Sequence, residues 1–533
     1  MRIIIILFIL LVAFQSKAQE RDHFSLFTDR DVYTSGETIL FKFFAPEEEH
    51  SGIVKVELIN TGGKIISAVN KKISDHQADG FLYIPDSLTT GSYLLSTSSE
   101  TTQTVTFREV LICNRFTGLA ETTSLLRIKG PLNDSVNTAD IQLAGIGEKL
   151  KPRENVQLTM NLSPEKLSQI KDNLIVEVVN ITPGYESRTF TRHTPKTVNR
   201  KNDSNGIAVQ GIANDLDTGA PFKNGCIFLS IPDSVPALQY YITGEDGHFN
   251  FEIENFYGKI PVVVQGSDMG KKRLLRITIS RDSLAIGLPE FENSSVSSDL
   301  QKTTGNQIEA TTLSKIFNYQ ELNIKTPAGK KLDYPFYGVP TEIVRPALFI
   351  DLPDFTEISR ELLSGVKFRA YNRIPTLQIL NPSTLNFYND QPLVLLDGVP
   401  VQDLNIIKNM GSKDISRIEI CRKERFYGDL SFTGVIAIYS TKQNFQHLAE
   451  SSDLVKLNLD ALQPDASLVI QGNRPENEPY LRKVLLWQPN LKPSNTVQLD
   501  FKTSDIKGNY RLIVRGKTMD GSAIFKVQNF EVY

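Results

Sequence analysis

QPLVLLDGVPVQDLNIIKNMGSKDISRIEICRKERFYGDLSFTGVIAIYSTK, residues 391–442, is the stretch from which the organisation of the remaining chain is read. Leu393 to Leu396 form an uninterrupted apolar run that stops at Asp397-Gly398, a pair suited to a tight turn because glycine accepts positive φ without steric penalty. A buried strand entering a turn is expected. Asp403 can cap a short helix with Leu404, Ile407 and Met410 on its inward face, and Gly411 can end it. Ile418 and Ile420 then alternate with Arg417, Glu419 and Arg422, the period of a strand with one wet face. A third strand, residues 434–439, puts Ile436 and Ile438 on one side and Val435, Ala437 and Tyr439 on the other. The expected unit is β-turn-α-β-loop-β.

The segments LVLLDGVPV, DISRIEICR, Tyr427-Gly428 and GVIAIYST resemble the plug domain of TonB-dependent outer-membrane receptors. In that family the domain sits inside a β-barrel and closes it. The resemblance covers residues 347–443, and its upstream part, Ile374-Pro375-Thr376-Leu377, is similar to the family's first helix, cut short before Pro382. It singles out Asp397, Gly398, Pro400, Ile418, Tyr427, Gly428 and Gly434 for a structural or partner-binding role. A receptor would continue into a barrel of roughly 22 strands of about 10 residues each. Only 91 residues follow Lys442, so the plug-like domain is expected to lack its barrel or to use another protein's.

The composition, 40% hydrophobic and 22% charged over 533 residues, is that of a globular multidomain chain. A net charge of −3 leaves no electrostatic footprint for nucleic acid. Met1 to Ala18 reads as a secretory signal: Arg2, an apolar core from Ile3 to Phe14, and the small-x-small site Ser16-Lys17-Ala18. No later segment approaches the twenty apolar residues of a membrane-spanning helix, so no integral membrane segment is expected in the mature chain. Export combined with the plug resemblance implies the periplasm of a Gram-negative bacterium. Cys113, Cys226 and Cys421 stand among apolar residues and are expected as buried thiols.

The expected fold class is mainly β: tandem sandwiches with a small α+β plug-like domain. Residues 19–116 hold TDRDVYTSGETI and GSYLL and resemble the macroglobulin-type immunoglobulin-like domain, although no cysteine stands in that family's thioester motif. In 151–162 Val156, Leu158, Met160 and Leu162 share a face, which with 174–179 implies a second sandwich over 118–197. Charged and polar residues over 188–205 read as a linker. Residues 206–282, through VQGIA, DTGAP, CIFLSI and DGHFNF, resemble the carboxypeptidase regulatory-like domain, the regulatory fold and not the peptidase. Residues 283–346 are expected as a linker, flexible over 293–307, where apolar periodicity is absent. Residues 452–533 are expected as a C-terminal immunoglobulin-like sandwich with Trp487 in its core.

No Gly-x-Ser-x-Gly, phosphate loop, His-Glu-x-x-His or paired metal-spaced cysteines occur, so no catalytic, cofactor-binding or metal-binding residues are expected. His447-Leu-Ala-Glu450 has two-thirds of a zinc spacing without a following histidine and reads as a solvated linker helix. Asp397-Gly398, Asp246-Gly247 and Asp520-Gly521 are expected as turns rather than acid groups or calcium loops. The expectation is a non-enzymatic protein whose plug-like domain binds, occludes or gates an outer-membrane β-barrel, similar in role to the plug subunit of a type 9 secretion translocon. The alternative is a multidomain binder of extracellular glycans or peptides.

Overall fold

The computed structural model describes residues 24–46, 52–99, 104–130, 141–170, 173–193, 206–233, 235–267, 275–280, 287–317, 319, 322–325, 327, 334–371, 374–469, 477–519 and 523–533. The signal segment and Asp520-Gly521 lie outside them. The chain is mainly β. It divides into two compact units: Met1–Asn205 with Ser283–Pro327 and Leu462–Tyr533, and Gly206–Asp282 with Ala328–Ala461.

In the first unit, Ser25–Thr28, Thr38–Phe44 and Gln77–Tyr83 form one sheet of an N-terminal sandwich. The facing sheet runs Thr189–His193, Thr104–Cys113, Gly91–Ser99, Gly52–Asn60, Ile65–Ile73. Alternate residues of Thr38–Phe44 explain how it is buried throughout. Ile39, Phe41 and Phe43 enter this sandwich's core, while Leu40 and Phe44 pack on Ile175, Val484 and Trp487 behind it. The supposed linker 188–205 therefore begins as a strand of this sandwich; residues 194–205 lie outside those described.

The second and the C-terminal sandwiches expected at 118–197 and 452–533 are corrected to one shared sandwich. Asn155–Leu162 lies between Ile141–Ala144 and Thr496–Lys502 in one sheet, antiparallel to both. In the other, Leu174–Asn180 lies between Val484–Leu491 and Gly508–Lys517. Their single core joins Val156, Leu158, Met160 and Val176 to Leu486, Leu512, Val514 and Phe530. The period-two pattern of residues 156–162 is as expected from the sequence. The partner strand, more than 300 residues away, is chosen by the fit of two apolar faces, which local periodicity does not encode. Both sandwiches contain the same turn device: in Gly91-Ser-Tyr93 and Gly508-Asn-Tyr510 the buried phenol donates to the carbonyl four residues upstream, Thr89 at 2.9 Å and Ile506 at 2.8 Å.

The expected flexible linker at 293–307 contains most of a helix, Ser298–Ile316, capped by the Ser297 side chain. Its buried face is largely polar, and this is why it shows no apolar period. Gln307 Nε2 donates to Thr182 Oγ1 at 2.7 Å and to Asn180 Oδ1 at 3.3 Å, and Thr311 Oγ1 donates to Glu37 Oε1 at 2.7 Å. Satisfied hydrogen bonds replace the hydrophobic stripe. Before the helix Phe291–Ser294 pairs with Leu125–Ile128, and after it Leu322–Lys325 pairs with Asp465–Leu468.

In the second unit a small sandwich has sheets His248–Ile253, Ile207–Asp215, Leu275–Ile279 and Ala237–Ile242, Cys226–Ile231, Lys259–Ser267, Leu454–Asp460. Leu454–Asp460, expected in the C-terminal sandwich, is instead the fourth strand of this sandwich's second sheet. The other domain is a five-stranded mixed sheet in the order Glu342–Val344, Ile415–Cys421, Val435–Ser440, Leu393–Leu396, Val399–Pro400. Leu393–Leu396 and Val435–Ser440 are parallel, while Ile415–Cys421 runs antiparallel to Val435–Ser440. Glu342–Val344 thus belongs to the sheet and not to a linker. Ile374–Ile379, matched above to a helix, is a strand paired with Val366–Tyr371, with Leu377 and Ile379 buried. Its period is two and its β-branched residues favour extended backbone.

Candidate functional site

The turn and the three strands read in residues 391–442 are present in the structure, but the helix starts after Leu404 without a side-chain cap, instead of after Asp403, and ends at Asn409, before Gly411. Asp397 and Gly398 have φ of 51° and 86°, the paired left-handed conformation of a tight hairpin turn. The helix is short, Asn405–Lys408, with Leu404, Ile407 and Met410 buried on its inner side and Asp403 Oδ1 accepting from the Asn405 amide at 3.0 Å. Ile436 and Ile438 enter one core cluster, and Val435, Ala437 and Tyr439 enter another.

Both faces of the sheet are covered, which overturns the expected wet face. Glu419 is only 7% exposed because the segment carrying Phe336 and Tyr337 lies over it. Tyr337 Oη donates to Glu419 Oε2 at 2.6 Å, and Arg417 Nε donates to Oε1 at 2.7 Å while its guanidinium stacks on Tyr439. Nothing in the period-two pattern distinguishes a solvated glutamate from one covered by a distant tyrosine.

The seven motif residues do not converge on a cavity. Asp397 folds the end of the sheet: its carboxylate accepts from the Ser440 amide and hydroxyl, each at 2.7 Å, and from the Phe445 amide at 3.2 Å. Ile418 is fully buried core, and Pro400 is buried in the edge strand. Gly434 is close to the Cys421 carbonyl and Ile379, each 2.8 Å from where a Cβ would stand.

Gly398, Tyr427 and Gly428 instead meet the small sandwich. A Cβ on Gly398 would lie 2.2 Å from Pro236 Cβ, and one on Gly428 would lie 2.0 Å from Tyr240 Oη. Tyr427 donates to the Leu238 carbonyl and packs edge-on to Tyr240, with ring centroids 5.5 Å apart. Tyr240 Oη accepts from the Asp429 amide at 2.9 Å, and Gln402 Nε2 donates to the Gly266 carbonyl at 3.0 Å. Three of the seven motif residues are thus committed within the unit. Pro236 and Tyr240, their partners, carry no sequence signal beyond strand alternation.

The far edge of the same sheet is open. Glu342–Val344 has one strand neighbour among the described residues. Ile343 is about half exposed, and Leu348, Phe349 and Ile350 are 76%, 62% and 63% exposed. Segment 350–352 is fixed by Ser412, which donates to the Ile350 carbonyl and accepts from the Leu352 amide, so these apolar side chains stand on an anchored loop.

A second polar cluster, unread in the sequence, lies in the first unit. Glu37 receives Lys483, Arg30 at 3.2 Å, the Thr34 amide at 2.9 Å and Thr311 at 2.7 Å. Burial alone would raise its carboxyl, but Arg30 and Lys483 outweigh that and hold it at about 2. Glu177 shows the opposite balance: burial pushes it up to about 7 against the pull of Arg515, because Arg515 binds Oε1 while buried Oε2 has no hydrogen-bond partner. Burial also raises the Cys113 and Cys226 thiols to about 12, which disfavours thiolate chemistry at either. Among the described residues no group of three His, Cys, Asp or Glu could hold a metal ion, and no helix is long and apolar enough to cross a membrane. The segment before His447 is a single 3-10 turn, Asn444–His447.

No family model and no curated protein matches the chain. Among solved structures, trypsin-activated α2-macroglobulin from Escherichia coli aligns at 10% identity and TM-score 0.16, over 96% of this chain and 23% of that one. Dimeric latent PorU from Porphyromonas gingivalis aligns at 8% identity and TM-score 0.16, over 51% and 34%. A tetra-tandem repeat from the extending region of a large adhesion protein aligns at 8% identity and TM-score 0.14, over 96% and 98%. This chain spans less than a quarter of the macroglobulin's length, and superpositions this loose carry no argument about fold or function.

Proposed function

We propose that this is a non-enzymatic protein of the Gram-negative periplasm whose plug-like mixed-sheet domain engages an outer-membrane β-barrel, occluding or gating a transport or secretion pore in the manner of a type 9 translocon plug subunit. The observation that carries the reading is the asymmetry of the sheet. Its Val399–Pro400 edge is closed by the small sandwich through Gly398, while its Glu342–Val344 edge is open beside the exposed run Leu348-Phe349-Ile350. Three consecutive apolar side chains held out on an anchored loop favour a partner surface. In this reading the small sandwich serves as a handle, and the open edge is what meets the barrel.

The test is affinity isolation of the C-terminally tagged chain from its native host after mild solubilisation of the outer membrane. One barrel protein should be recovered in stoichiometric amount from the native chain and lost with Leu348→Asp/Phe349→Asp. Recovery of no membrane protein, or equal recovery with the double variant, would sink the reading.

A further inference from the structure

We propose that the first unit contains a binding site for a small amphipathic carboxylate, a ligand with an apolar body and an anionic head. A cavity of about 680 Å³ opens between the N-terminal sandwich, the C-terminal turn of the Ser298–Ile316 helix and the Leu322–Lys325/Asp465–Leu468 ribbon. That volume is typical of small-molecule sites, which combine apolar walls with a few placed polar groups.

The lining combines two chemistries. Its apolar part is Leu40, Leu322 and Leu468 with Ile324, 42% exposed, and Tyr83, 56% exposed. Its charged part is cationic in excess: Arg30, Arg115, Lys315, Arg482 and Lys483 line the cavity with two carboxylates, Asp29 and Glu37. Both carboxylates are already engaged. Asp29 accepts from Tyr33 at 2.7 Å, the Leu40 amide at 2.8 Å and Arg30 at 3.0 Å, while Glu37 holds Arg30 and Lys483. At the mouth Arg115 and Lys315 share a single half-exposed carboxylate, Asp86, at 3.4 and 3.6 Å. These are long ion pairs, so a ligand carboxylate can compete for the same two cations. Charge complementarity thus selects an anionic head, and Ile324 and Tyr83 select an apolar body. A peptide carboxylate and an acyl carboxylate both have this chemistry. The inference is independent of the barrel reading, which concerns the second unit.

The test is titration calorimetry on the full chain with two carboxylate probes, decanoate and N-acetyl-Leu-Leu-Glu, each beside its neutral counterpart, decanamide and the fully amidated tripeptide. At least one carboxylate should bind about tenfold more tightly than its neutral counterpart and weaken with added salt. Which one binds identifies the source. The double variant Arg115→Gln/Lys315→Gln should abolish that preference while leaving the melting temperature close to native, and Ile324→Asp should remove binding of both members of the pair. Absence of binding by all four probes at millimolar concentration overturns the inference. So does equal binding of charged and neutral forms, or an undiminished preference in the folded double variant.

Discussion

The two units join distant chain segments by different chemistry. In the first, residues 37, 311 and 483 meet in a buried ionic cluster. In the second, the turns at Gly398 and Gly428 press against Pro236 and Tyr240, leaving no room for a Cβ. The ionic junction depends on every charge being answered and should therefore respond to pH. The steric junction depends on absent atoms, so it should ignore pH and tolerate no added methyl group.

The largest expected effect is at Glu37. Glu37→Gln leaves Lys483 and Arg30 buried without their shared carboxylate and should destabilise the first unit by about 3–5 kcal/mol. Trp487, the chain's only tryptophan and buried in this unit, reports the loss by fluorescence in urea. Adding Lys483→Met should recover part of it, since an apolar replacement carries no desolvation penalty; no recovery would mean the cluster acts through something other than charge.

The next effect is in pH. Glu37 is held at about 2 against an ordinary 4.5, so its contribution, about 3 kcal/mol, is present above pH 4.5 and lost as pH falls towards 2. Glu177, raised to about 7, has the opposite sign: its protonated form is favoured in the folded state, so stability declines by about 3 kcal/mol as pH rises from 4.5 through 7. Followed by Trp487 fluorescence, the first unit should be most stable near pH 4.5, and Glu177→Gln should flatten the upper arm. A stability profile that rises steadily from pH 4.5 to 8 would contradict this assignment.

Gly398→Ala should destabilise the second unit by about 2–3 kcal/mol, from left-handed backbone strain and the collision with Pro236. Hydrogen exchange in 236–242 and 393–400 should accelerate together, by an amount that does not change between pH 5 and 7 once intrinsic exchange is corrected for. The smallest expected effect is Tyr427→Phe, about 1 kcal/mol for one hydrogen bond to Leu238, since the ring contact with Tyr240 survives. A loss as large as that of Gly398→Ala would mean that the phenol, and not the glycine turns, organises the junction.

Several elements were legible because their causes are local. Asp397-Gly398 dictates its own turn, residues 156–162 alternate, and Ile436 and Ile438 sort from Val435, Ala437 and Tyr439 by a period of two. The Ser298–Ile316 helix was not legible, because Thr304, Gln307 and Thr311 are buried through hydrogen bonds and leave no apolar stripe. Within the candidate site, the motif positions could be named from the sequence, but the surface that claims Gly398 and Gly428 could not.

By itself, then, the sequence determined the turn at Asp397-Gly398, the alternation of residues 156–162 and the two apolar sets of residues 435–439, since these follow from backbone sterics and from the transfer of apolar side chains out of water. The tertiary structure alone decided that residues 141–180 and 484–533 share one core, that Leu454–Asp460 completes the small sandwich, and that Pro236 covers the turn at Gly398 while Tyr240 covers the turn at Gly428. A strand's backbone offers the same hydrogen-bond ladder to any partner, and an apolar face does not name the surface that will cover it.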